Sequence, residues 1–160
     1  MRISIIVISL LIVLAVYTIV SRQIATRTTG KLIATAQQPT NAAMTAALAV
    51  LPAIFPATSD RASSTLVANV WGRGVMSFEF VIPNANIDNI PIARTALEKE
   101  LNNYASKENI HGYDELVQPF KITDFWQALP EQGAQWHIDV AFLVNEATGE
   151  YIRDLEKLGQ

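Results

Sequence analysis

Hydrophobic positions fall along this chain in three ways, and each predicts a different element. Residues 3–20 (ISIIVISLLIVLAVYTIV) form an apolar run with no charge, Gly or Pro. Residues 40–57 and 89–107 repeat their apolar positions at helical spacing, and residues 75–82 and 119–144 alternate as strands do. As a helix, the run from Ile3 to Val20 extends about 27 Å, close to the ~30 Å of a hydrocarbon core. It is expected to be a transmembrane helix in contact with membrane lipid, with residues 1–22 as an anchor.

Its flanks favour an uncleaved signal-anchor over a cleaved signal. The run exceeds a typical signal core, and Ser21, Arg22 and Gln23 follow it instead of a small-x-small site. The one such site, Ala34-Thr35-Ala36, lies too far downstream. A type IV pilin is not the expectation, because the sequence shows no Gly-terminated basic leader before the run and no Glu near its start. The basic residues Arg22, Arg27 and Lys31 draw the C-terminal side towards the cytoplasm, whereas the signal-anchor layout places it outside. The layout is preferred: a single-pass protein of the inner (cytoplasmic) membrane with its C-terminal domain outside.

Residues 21–39 are small, polar and basic. Gly30 marks a stop, and Pro39 is expected to end any helix that resumes. A short apolar helix is expected over about 41–55, on Met44, Leu48 and Leu51, with Pro52 and Pro56 interrupting it. A second span, or a helix that self-associates through small residues, are the alternatives. Residues 23–60 thus form a membrane-proximal linker, and 61–160 a small α+β domain.

Within that domain, residues 75–82 read as a strand with Met76, Phe78, Phe80 and Ile82 on one face. Residues 89–107 read as the main helix, with Asn89 as N-cap and Pro91 in the first turn. Its expected core stripe is Ala93, Leu97, Leu101 and Tyr104, with Glu98, Lys99, Asn102 and Asn103 facing water. Residues 119–144 read as a hairpin turning at Pro130 to Gly133. On its first arm, Phe125 and Trp126 point to opposite faces. On the return arm, Trp136, Ile138, Val140, Phe142 and Val144 oppose His137, Asp139, Ala141 and Leu143. Residues 148–158 read as a final helix facing inward through Tyr151, Ile152, Leu155 and Leu158, with an edge strand from 150–152 as the alternative. The order β-α-β-β-α, with a further strand available in 64–70, predicts a ferredoxin-like or related antiparallel sheet.

Charge sharpens this picture. The chain carries 12 basic and 15 acidic residues, net -3. Residues 1–59 hold Arg2, Arg22, Arg27 and Lys31 and no acid, giving +4, while the remaining 8 basic and 15 acidic residues give -7. A basic collar on an acidic domain suits a lipid surface. It does not suit nucleic acid, which needs a basic footprint on the domain. With no Cys, disulfides, thiolate metal sites and a cysteine nucleophile are all excluded.

Candidate chemistry is sparse. His137 and Asp139, two apart on a strand, share a face, but a zinc site needs three or four ligands. His111 with Asp114 and Glu115 reads as an ordinary polar loop. Gly72-Arg73-Gly74 precedes a strand, not a helix, so it is no phosphate loop. Glu98 and Glu100 lie on different sides of their helix, and no Gly-x-Ser-x-Gly elbow occurs. The expectation is a protein without enzymatic activity, metal or cofactor. It would act as a structural or assembly subunit of a bacterial-type envelope complex, of the pilus, secretion or conjugation class. Its partners would be other membrane or envelope proteins or further copies of itself, met through Phe125, Trp126 and Trp136. The alternative is a membrane-tethered module binding a peptide or small ligand through the same aromatic residues.

Overall fold

The computed structural model describes residues 2–56, 62–67, 74–83, 85–114, 117–128 and 135–159. Within the first helix it describes the side chains of residues 13, 14, 16–18 and 31–49. The chain divides into two compact units, Met1–Ala34 and Thr35–Gln160.

The first unit is helical and belongs to α1, Arg2–Ala49. Most side chains of residues 3–20 lie outside the described ones, and so does the expected span. Among the described residues no helix is long and apolar enough to cross a membrane.

The second unit is α+β. It opens with the last part of α1 and continues with β1 (Ser64–Leu66), β2 (Ser77–Pro83), α2 (Ile90–Lys107), β3 (Phe120–Gln127), β4 (Gln135–Phe142) and α3 (Glu146–Leu158). The four strands form one antiparallel sheet in the order β1-β2-β4-β3. β2 and β3, joined through α2, therefore run parallel to each other with β4 between them, a split βαβ arrangement. β1 supplies the edge beside β2.

One face of the sheet is aromatic and aliphatic. Phe78, Phe80 and Ile82 on β2 stand opposite Val140, Ile138 and Trp136 on β4, and all six are buried. Phe120, Ile122 and Phe125 of β3 extend this face. Their numbering changes parity because a bulge at Thr123 shifts the register between Ile122 and Asp124. The bulge turns Phe125 inward and Trp126 outward. Ala93, Leu97, Leu101 and Ala105 of α2 and Ala36, Ala43, Met44, Ala47 and Leu48 of α1 also belong to the buried apolar set.

α1 corrects two expectations. Neither Gly30 nor Pro39 ends a helix, and the expected helix over 41–55 is the last part of α1, which stops at Ala49. Burial of the small residues on one side of this segment outweighs the local cost of Pro39. α2 starts as expected, with the Asn89 side chain accepting from the Ile92 N–H at 3.1 Å and Pro91 in its first turn. Its inner stripe differs: Ala105 and Asn102 are buried, and Tyr104 is only half-buried.

Asn102 turns inward because the outer edge of β3 needs partners. The Asn102 amide donates to the Phe120 carbonyl at 2.9 Å and accepts from the Phe120 N–H at 3.0 Å. Glu98 accepts from the Ile122 N–H at 2.9 Å, and Arg94 donates to the Ile122 carbonyl. These residues recur every four positions on α2 and cap the strand edge as a neighbouring strand would. α1 treats the opposite edge alike. Gln37 donates to the Ser64 carbonyl at 2.6 Å, Ser64 donates to Asn41 at 2.6 Å, and Thr45 accepts from the Ala62 N–H at 3.1 Å.

α3 lies on the other face, where Ile152 packs with Ala141 and Leu143. Its N-cap, Asn145, accepts from the Thr148 N–H and donates to the Gly74 carbonyl, while the buried Thr148 hydroxyl accepts from the Met76 N–H at 2.9 Å. Gly149 lets the Tyr113 ring lie close to α3: a Cβ there would stand 2.7 Å from the Tyr113 hydroxyl, and that exposed side chain would have to move. Gly159, at φ 79°, ends α3 as expected. Leu158, expected inside, is 72% exposed, and Val144, past the end of β4, is also exposed.

Candidate functional site

The polar side chains gather on the face that α3 only partly covers. Register sets them in rows across the strands. The first row, Ser77–Ala141–Lys121, includes the Ala141 against which α3 packs. The next is Thr65–Glu79–Asp139–Asp124, and beyond it runs Val81–His137–Trp126. Val81 and Trp126, at 43% and 41%, are among the exposed large hydrophobic side chains.

His137 is the centre of this face. Its Nδ1 lies 2.6 Å from Glu79 Oε1, a diagonal contact between neighbouring rows. A carboxylate at this position holds the proton of the neutral ring on Nδ1. The Trp126 indole stacks on the imidazole with ring centroids 3.9 Å apart and planes 9° from parallel. His137 Nε2 and Asp139 Oδ1 are buried without a hydrogen-bond partner among the described residues. Burial pushes the Asp139 carboxyl up to about 6, the Glu79 and Asp124 carboxylates push the same way, and His137 offsets them only in part. Burial likewise raises the Tyr151 phenol, beside Thr123 and Ser77.

A Glu–His pair is one part of a proton-transfer site, but the others are missing from the described residues. Among the described residues no Ser or Thr hydroxyl is within hydrogen-bond distance of Nε2, and Trp126 covers one face of the ring. No group of three or more His, Cys, Asp or Glu side chains among the described residues is placed to hold a metal ion.

The residues singled out from the sequence separate. Phe125 and Trp136 are buried and meet each other at 5.7 Å between ring centroids. Trp126 is the one of the three that is exposed. His137 and Asp139 do share a face, but His137 engages Glu79, a partner from another strand that spacing along one strand does not reveal. His111 and Asp114 are exposed, and Glu115 lies outside the described residues. So do Gly72, Arg73, Trp71 and the turn from Pro130 to Gly133. Glu98, expected to face water, carries the β3 edge and an ion pair with Lys121 at 3.5 Å. Beside it, an open cavity of about 690 Å³ is lined by Arg94, Glu98, Lys99, Asn102, Gln118 and Lys121 among others, with no aromatic side chain.

No protein-family model, curated protein or solved structure matches the chain.

Proposed function

We propose that this chain is a non-enzymatic, single-pass membrane protein. Its α+β unit serves as a structural or assembly subunit of a bacterial-type envelope complex, of the pilus, secretion or conjugation class. The run from Ile3 to Val20 is the anchor, in the inner membrane, and the C-terminal domain lies outside. The observation that carries the reading is how the domain uses its polar side chains. Gln37, Asn41 and Thr45 on one edge and Arg94, Glu98 and Asn102 on the other are engaged in closing the sheet. A ferredoxin-like description belongs to the same proposal, with β1 in the place of a final strand, and that likeness carries no function by itself.

Three measurements on the full-length protein test this. Alkaline carbonate should leave it in the membrane, and its release would remove the anchor. A C-terminal phosphatase fusion should be active, and an inactive one would reverse the orientation. After gentle solubilisation it should migrate within a larger assembly. Migration alone, with appendages and secretion intact in a deletion strain, would overturn the assembly role.

A further inference from the structure

Asp139 occupies the middle of a row of carboxylates. The register sets it opposite Glu79 on β2 and opposite Asp124 on β3. Side chains directly opposed across antiparallel strands have Cβ atoms about 4.5–5.5 Å apart, and like charges there repel. Counter-charge is scarce among the described residues of the neighbouring elements. β1 contributes Thr65, whose hydroxyl reaches Glu79 at 3.4 Å. β4 contributes His137, engaged with Glu79. Lys121 on β3 turns to Glu98 of α2. α3 contributes the Tyr151 phenol, while Arg153 reaches the Tyr113 hydroxyl at 3.3 Å. Among the described residues, one imidazole therefore faces three carboxylates.

We propose that this row is a proton-operated clasp: Asp139 holds a proton in the folded sheet under mildly acidic conditions, and loss of that proton loosens the packing of β2, β4 and β3. The protonated carboxyl is uncharged between Glu79 and Asp124, so the row carries one repulsion fewer on each side. The upward displacement of the Asp139 carboxyl, to about 6, has the sign this requires. A carboxyl that holds its proton more tightly folded than unfolded stabilises the fold fully below pH ~4, and that stability is lost as pH rises through about 6. The clasp does not depend on the proposed membrane role.

The test uses the full chain in detergent micelles. Urea unfolding of the wild type is compared with that of Asp139→Asn, neutral at every pH, between pH 5 and 7.5. The wild-type unfolding constant should rise severalfold more than that of the variant, short of the about tenfold that an unscreened shift to about 6 would give, because solvent screens a partly exposed group. Equal pH dependence in both would overturn the proposal. A second measurement guards against a variant that fails to fold. The carboxyl carbon of Asp139, followed by NMR in the wild type, should titrate near pH 6, and a midpoint near 4 would overturn the proposal as well.

Discussion

Asn102→Ala tests how the outer edge of β3 is closed. Asn102 is 8% exposed, and its amide answers both the N–H and the carbonyl of Phe120. Truncation removes these two hydrogen bonds, of about 1 kcal/mol each, along with a local one from the amide to the Glu98 carbonyl, and leaves one donor and one acceptor of Phe120 without partners. Stranded in a dry interior, each would cost about 1–3 kcal/mol. The site is not dry on every side, because Asn102 also lines the open cavity between α2 and β3. Water entering there can meet Phe120, which places the expected loss at the lower end, about 2–3 kcal/mol. Urea unfolding, followed by the far-UV signal, measures it. Asn103→Ala on the same helix is the control and should cost under about 0.5 kcal/mol. If the two substitutions cost the same, Asn102 does not hold the strand edge and the edge-capping account is wrong. A second readout follows from the exposed backbone: the Asn102 variant should aggregate faster than the control at equal fraction folded, because an unpaired edge accepts further strands.

Two further substitutions probe other joints. Thr148→Val preserves shape but removes the acceptor for the buried Met76 N–H, so it should destabilise by about 1–3 kcal/mol in urea unfolding, while Thr148→Ser should stay close to wild type. Pro39→Ala should raise stability by about 1–3 kcal/mol, since an interior helix proline lacks an N–H and crowds the preceding turn; no gain would mean that the helix does not run through residue 39.

What pattern reading captures here is what period alone determines. Phe78, Phe80 and Ile82 fall on one face because strands alternate, and the same rule places Trp136, Ile138 and Val140 with them. Asn89 and Gly159 are legible because helix ends have local chemistry. Where period fails, a second force has intervened. In β3 strict alternation would group Trp126 with Phe120 and Ile122, and the bulge at Thr123 exchanges it for Phe125. In α1, Pro39 looks like a terminator, yet Ala36, Thr40, Ala43 and Met44 bury a continuous stripe on both sides of it. In α2, Glu98 and Asn102 look like solvent residues because they are polar. Their spacing of four, together with Arg94, was the available signal, but only the position of β3 tells which polar stripe faces a strand. The Glu79–His137 contact joins residues 58 apart in sequence, so no local pattern contains it.

The same two stripes limit how this domain can meet a partner. A sheet with free edges can take an added strand from another chain, and main-chain hydrogen bonds then supply the affinity. Here Phe120 and Ile122 on one edge and Ser64 on the other already bond to α2 and α1. An incoming strand on β3 would have to displace the side chains of Arg94, Glu98 and Asn102 before gaining any bond of its own. Strand addition is therefore opposed at both edges. Contact through the half-covered face is constrained differently. Val81 and Trp126 offer apolar surface there, but Glu79, Asp139 and Asp124 lie in the next row. Two copies stacked on that face would oppose their carboxylates, which disfavours self-association through it at neutral pH. If loss of charge at Asp139 weakens that repulsion, any self-association through this face should strengthen as pH falls towards 5, and sedimentation of the wild type against Asp139→Asn at pH 5 and 7.5 would read the difference directly.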